Sequence, residues 1–270
     1  VDNAHGAYLK FLPRSLHPMD LGADLCSDSA HKTLPVLTGG AYLHMGPDWT
    51  AEEAKAAMAL FGSTSPSWLI LQSLDGANPL LERLPGDIAA LAPHIAALKG
   101  ALLAHGFALV GAEPLKITVH AAKFGYSGEE MAEILERQGI FCEFADRDFL
   151  VFMLTPRNTP EELDRLRAAL CALPRGARQE MPPIALARPK AACTPRQAAF
   201  APRETIPVEN SLGRILALAN VSCPPAVPIV MCGEEIDEAA QEALRRCGIE
   251  EVTVVKTFPD GEGGPPAGGG

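Results

Sequence analysis

Two helix-start signatures, each set beside a strand-like run, constrain the middle of this chain more than any other feature. Ser127 is followed three residues later by Glu130, and Thr159 by Pro160, Glu161 and Glu162. In such a box the hydroxyl and the acid satisfy backbone N–H groups that a helix start leaves without partners. The first box opens a helix that stops at Gly139. The second opens a helix with proline in its first turn, turning Leu163, Leu166 and Leu170 inward. "LKITV" (115–119) and "DFLVFMLT" (148–155) read as strands. The resulting β-α-β-β-α order predicts an α+β unit with helices packed on one face of a sheet.

On either side the texture changes. Residues 1–45 read as short strand-and-loop pieces at 1–2, 22–25 and 41–44. A helical pattern follows from Thr50, with Ala54, Met58 and Phe61 on one face. Ser65 and Pro66 open another helix that runs to about Leu74. The alanine- and leucine-rich stretch 79–105 reads helical, with Pro85 interrupting it and Pro93 placed to kink it. Residues 174–206 are proline-rich and read as a connecting segment. A last unit is expected as a helix around 208–219, a strand at 227–231, a helix at 234–247 and a strand at 250–256. The tail 258–270, "PDGEGGPPAGGG" in its vicinity, is low-complexity and expected to be disordered.

Composition narrows the partners. A formal net charge of −10 disfavours nucleic acid and anionic membrane surfaces. The seven cysteines form no CxxC pair and no metal-ligand spacing, so no metal is expected and reduced thiols in the cytoplasm are the economical reading. No run of 18 apolar residues marks a membrane span. The chain opens on "VDNAHGAYLKF", without methionine, where a strand gives way to a loop. The expectation is the C-terminal part of a longer protein.

The chemistry-bearing residues fall in three places. Asp2 stands at that strand end, with the small residues Ala4 and Gly6 after it. Lys32 follows thirty residues later in "SDSAHKTLPVLTGG" (27–40), beside His31 and just before Leu34, Pro35, Val36 and Leu37. An amine among apolar side chains and next to a second cation gives up its proton more readily and becomes a nucleophile. On this stretch alone a plain loop lysine is the alternative. "STSPSWLILQSLD" (63–75) adds a cluster of hydroxyls at a helix start. An acid after a strand, a lysine farther on and such hydroxyls are what a pyridoxal phosphate site needs. The acid keeps the ring nitrogen protonated, the lysine holds the aldehyde, and the hydroxyls bind phosphate.

These stretches, with "EPLKITV", "GYSGEEMAEIL", "LTPRNT" and "GRILALANVSCPPAVPIVMCGEEI", resemble the Orn/Lys/Arg decarboxylases, fold-type-I pyridoxal phosphate enzymes acting on basic amino acids. The resemblance follows the expected order over nearly the whole chain. It implies an α/β fold. Residues 1–105 would be the remainder of an aspartate aminotransferase-like large domain, 106–180 an α+β small domain and 181–257 a C-terminal decarboxylase unit. Lys32 would be the Schiff-base lysine. Asp2 would pair with the ring nitrogen, Ala4 would sit against the ring, and His5 would lie near its phenolic oxygen or the substrate. Ser29 and His31 would contact the phosphate. Ser63, Thr64 and Ser65 would reach the partner subunit's cofactor, implying a homodimer. Glu234 or Glu235 would meet the distal end of the substrate, or else serve as first-turn glutamates favoured by a helix dipole.

The reaction implied is decarboxylation of arginine, lysine or ornithine to an amine of polyamine metabolism. Two departures from the family pattern stand out: Trp68 in place of tyrosine and Ala226 in place of glycine. The family's glycine-rich phosphate loop and ring-stacking residue would lie upstream of Val1, so this chain is not expected to act alone. Another fold-type-I enzyme, such as an aminotransferase, and a non-catalytic dimerising fragment are the alternatives. His44, His94, His105 and His120 carry no partner pattern and read as structural or surface residues.

Overall fold

The structure, a computed structural model, describes residues 1–177, 189–218, 222–223 and 227–256. The departure at Ala226 and the tail lie outside the described residues. The chain divides into two compact units, Val1–Arg178 and Gln179–Gly270, each described by itself.

The first unit begins with residues 1–3 alongside strand β1 (Leu25–Asp28). Asn3 N–H donates to Ser27 O at 2.9 Å and Ser27 N–H to Val1 O at 3.0 Å, a parallel bridge centred on Asp2 and Ser27. A single helical turn, α1 (Ala30–Thr33), follows β1, and strand β2 (Tyr42–Met45) returns antiparallel to β1. The expected strand at 22–25 is displaced to 25–28, because Gly22 turns left-handed at φ 99° and ends the preceding turn.

Helix α2 (Ala51–Ala59) starts at a Thr50–Glu53 box and buries none of its residues. Its apolar face is therefore unpartnered among the described residues, and Phe61 is 94% exposed. Helix α3 (Trp68–Leu81) begins later than Ser65 and Pro66, because the Ser67 hydroxyl caps Ile70 N–H. It continues past Leu74 and carries Pro79 in its last turns. Pro85 opens α4 (Leu84–His105) rather than interrupting a helix, since proline lacks only an N–H that a first turn leaves unbonded. By length and composition α4 is apolar enough to cross a membrane. Its stripe Leu84, Ile88, Leu91, Ile95, Leu98 and Leu102 is buried in the main core, as in a core helix.

The α+β unit keeps the expected β-α-β-β-α order and adds one short strand in front of it. Strands β3 (Leu109–Val110), β4 (Lys116–His120), β5 (Phe144–Ala145) and β6 (Phe149–Met153) form an antiparallel sheet in the order β3-β4-β6-β5. Ile117 faces Phe152 and Val119 faces Leu150, and all four are buried. Helices α5 (Gly128–Glu136) and α6 (Pro160–Cys171) begin at the Ser127 and Thr159 boxes, both fully bonded. Leu163, Leu166 and Leu170 point into the core. That core is continuous from Ala7 to Leu173, across residue 105.

The second unit departs more from its sequence reading. The segment 174–206 is not merely connecting. Thr194 and Gln197 form a capping box with proline in the first turn, opening α7 (Pro195–Phe200), and β7 (Arg203–Pro207) follows. The helix expected at 208–219 is absent among the described residues: after a turn at Val208–Asn210, Gly213 adopts φ 75° and Leu216 bridges Val254. Strand β8 (Ser222–Cys223) pairs with β9 (Val227–Pro228), shorter than the expected 227–231. Helix α8 (Glu238–Arg246) starts after 234 because Asp237 Oδ1 caps Ala240 N–H at 2.7 Å. Strand β10 (Glu251–Val255) pairs antiparallel with β7 around Ile206 and Val252. Leu216, Ile236, Leu244 and Val254 fill this unit's core.

Candidate active site

The bridge between residues 1–3 and β1 brings two of the sequence-marked groups to neighbouring strands. Asp2 leaves its strand exposed, and its Oδ1 accepts Ala4 N–H at 3.1 Å, which turns the chain towards His5. On the adjacent strand β1 runs through Asp28 into Ser29 and α1. Ser29 occupies the N-cap position of α1, yet its hydroxyl makes no capping bond, so it remains available to another acceptor. Lys32 N–H donates to Ser29 O at 3.0 Å, placing the lysine one turn beyond that hydroxyl.

Lys32 is exposed, yet its surroundings are partly apolar, since Leu34, Pro35, Leu80 and Leu84 line the cavity that it borders. Leu34 is buried, while Pro35 and Leu37 are exposed. Lys32 lines a cavity of about 280 Å³ with His31, Thr33, Leu81, Thr155 and Arg157. The Thr33 hydroxyl in its wall is buried without a hydrogen-bond partner. Asp2 and His5 do not line this cavity. Burial first, then the charges of Lys116 and Lys32, hold the half-buried His5 imidazole below its ordinary value. The acids Glu143 and Glu113 act in the opposite direction and do not reverse the effect.

His31 sits one residue before Lys32 with Nδ1 3.0 Å from Gly40 O. A carbonyl only accepts, so Nδ1 carries the proton there, and Nε2 can donate to an anion only in the imidazolium form. Ser63, Thr64 and Ser65 lie in an exposed loop, where Ser63 Oγ accepts Ser65 N–H at 3.1 Å. None of the three lines the Lys32 cavity. Trp49, Met58, Leu60, Phe61, Trp68 and Leu69 are exposed around them. Glu234 and Glu235 belong to the second unit and precede α8, which removes the helix-dipole alternative. Glu234 Oε2 instead accepts Met231 N–H at 2.7 Å, closing a turn.

Two clusters had no sequence signal strong enough to find them. Tyr8 donates to Glu113 Oε1 at 2.6 Å, and Lys116 pairs with Glu113 Oε2 at 2.9 Å. Burial, then this bond, pushes the Tyr8 phenol well above its ordinary range. The second cluster is centred on Asp28, 3% exposed, whose Oδ2 receives His17 Nε2 and His44 Nε2 at 2.9 Å each. Burial works against that charge, but the bonds from His17, Asn3 and His44 outweigh it and hold the carboxyl below its usual range. The ligand atoms of His17, Asp28 and His44 lie within 4.8 Å of one another, close enough for a metal. However, His17 Nδ1 accepts Met19 N–H at 3.3 Å. The ring proton therefore sits on Nε2 and is given to Asp28, leaving no lone pair there for a metal. His44, read from sequence as having no partner, belongs to this cluster.

Comparison with known proteins shows the family. Residues 1–90 match the family model described as Orn/Lys/Arg decarboxylase, major domain, and residues 178–256 match Orn/Lys/Arg decarboxylase, C-terminal domain. The chain belongs to the Orn/Lys/Arg decarboxylase family. An arginine decarboxylase of Bacillus anthracis is 30% identical over 91% of this chain and 54% of its own length. One of Bacillus subtilis is 29% identical over 88% and 53%. The chain thus spans about half the length of the curated relatives it matches. Lysine decarboxylase A from Pseudomonas aeruginosa superposes with TM-score 0.71 at 17% identity, over 92% of this chain and 48% of that one. The Francisella novicida lysine decarboxylase gives 0.69 at 15%, over 94% and 53%. At these identities the likeness is one of fold.

Proposed function

We propose that this chain takes part in the pyridoxal phosphate-dependent decarboxylation of a basic amino acid, giving carbon dioxide and the corresponding amine in the cytoplasm. The observation that carries the reading is the strand bridge that sets Asp2 beside the strand leading into Lys32. Residues 1–105 are then the remainder of a fold-type-I large domain, 106–180 its small domain and 181–257 a C-terminal unit. The names of the curated relatives favour arginine over lysine or ornithine as substrate.

The residues fit the cofactor. Lys32 offers an exposed amine, Asp2 an exposed carboxylate on the neighbouring strand, and Ser29 a hydroxyl not used to cap α1, between them in sequence. When bound, pyridoxal phosphate supplies a ring that accepts the electron pair of the breaking carbon–carboxylate bond. Lys32 would hold its aldehyde carbon and yield that place to the substrate amine. Asp2, as an anion, would keep a proton on the ring nitrogen. Ala4, with its small side chain, would let the ring lie close. His5, kept neutral by burial and two lysines, would accept or donate a hydrogen bond near the phenolic oxygen without adding charge. Ser29 and His31 would meet the phosphate.

The exposed apolar face around Phe61 and Trp68 supports a homodimer in which Ser63, Thr64 and Ser65 reach the second copy's cofactor. Glu234 or Glu235 would meet the substrate's distal cation, and Glu234→Gln or Glu235→Gln should then raise KM for arginine more than it lowers kcat. The test of the reaction is product analysis with arginine, lysine and ornithine. Carbon dioxide with an amine supports decarboxylation, whereas a keto acid supports an aminotransferase. A second reading rests on the exposure of Lys32: the chain binds cofactor and dimerises but completes its site only with further polypeptide around it. A cofactor adduct without turnover supports that reading.

A further inference from the structure

The Asp28 carboxylate joins the two segments on which the site depends. Its Oδ1 accepts the Asn3 side-chain amide at 2.8 Å, and its Oδ2 accepts both histidines. The Cys26 thiol lies 3.6 Å from Oδ1. Asn3 stands between Asp2 and Ala4; Asp28 stands directly before Ser29. The backbone bridge ties Asn3 N–H to Ser27 O, and the side-chain bond from Asn3 to Asp28 is a second tie between the same strands. Gly6 leaves room for the Asn3 amide: a Cβ there would lie 1.9 Å from Asn3 Oδ1, so the amide would have to shift from this position. Two unexplained residues of the "DNAHGA" stretch thereby acquire a purpose.

We infer that Asp28 is a positioning residue for this site, holding the Asp2 strand in register with Lys32 through Asn3 while touching neither substrate nor cofactor. A carboxylate suits the position because it is acceptor-only and can take several donors at once. Here His17 and His44 fix its orientation, leaving Oδ1 for Asn3. Removing either partner takes away this second tie between residues 3–6 and β1, while the backbone bridge and the hydrophobic core remain. The inference deepens the decarboxylase reading and rests on it for the roles of Asp2 and Lys32.

The test compares the full wild-type chain with Asn3→Ala, Asp28→Asn and the double variant Asn3→Asp, Asp28→Asn. In the double variant the pair exchanges donor and acceptor, and the amide oxygen at 28 still receives both histidines. Two readouts are taken: pyridoxal phosphate affinity by borohydride trapping at Lys32, and hydrogen exchange of the amides of residues 3–6. Each single variant should bind cofactor about tenfold more weakly and exchange about tenfold faster at residues 3–6, the loss of one charge-assisted bond. The double variant should recover both to within about threefold of wild type. Single variants with wild-type affinity and exchange, or a double variant no better than Asp28→Asn, would overturn the inference. If the wild type traps no cofactor, the decarboxylase reading fails by itself, and exchange at residues 3–6 still decides whether Asp28 holds them.

Discussion

Tyr8 and Glu113 are 105 residues apart in sequence, yet the tyrosine hydroxyl donates to Glu113 Oε1 at 2.6 Å. The bond ties the segment just after His5 to the approach of β4, where Lys116 holds the other carboxylate oxygen. It anchors the start of the chain to the sheet.

Tyr8→Phe removes a hydrogen bond to a charged group and should cost about 1.5–3 kcal/mol, read from urea unfolding. The folded-state pKa of Tyr8 is raised, so its contribution is full below the ordinary tyrosine value of 10.0 and declines as pH rises above it. The difference between wild type and variant should narrow there. An equal difference at every alkaline pH would contradict the assignment.

His5 gives the opposite limb. Its pKa is lowered by burial and by Lys116 and Lys32, so the unfolded chain binds its proton first. The stability it contributes is full above its ordinary value of 6.5 and is lost as pH falls towards the folded value. His5→Gln should flatten the fall in urea midpoint between about pH 8 and about pH 5. Parallel curves would show that His5 is not held neutral.

Leu170 is fully buried on α6, whereas Leu103 on α4 is 55% exposed. Leu170→Ala should cost about 2–5 kcal/mol. Leu103→Ala should stay within about 0.5 kcal/mol. Comparable losses would place Leu103 against a partner that the single chain does not supply.

If the proposed homodimer forms through this face, Phe61→Asp combined with Trp68→Ser should convert it to monomer in light scattering while the thermal midpoint barely moves, because both side chains are exposed. A dimer that survives these changes would remove this face from the interface.

The α+β unit was legible because its signals are local. The boxes at Ser127 and Thr159 lie within four residues of the N–H groups they satisfy, and the buried alternation of Ile117 and Val119 has period two. Residues 208–219 misled for the complementary reason. "GRILALAN" is short and apolar, and periodicity does not separate a buried strand from a helix at that length. Pairing of Leu216 with Val254 decides it, and that contact lies far along the chain. Asp2 and Lys32 were singled out by an acid-then-lysine spacing together with the family resemblance, which the spacing alone could not establish. The Asp28 cluster was not, since Asn3, His17 and His44 converge from three separate segments and only the fold brings them together.

The central claim is that Lys32 holds pyridoxal phosphate. The chain should be incubated with the cofactor, reduced with borohydride, digested and mapped by mass spectrometry, with Lys32→Ala as the control. The account predicts a single pyridoxyl group on Lys32 that is lost in the variant. An unmodified Lys32 peptide, or labelling spread over Lys10, Lys99 and Lys116 to the same extent, would contradict it.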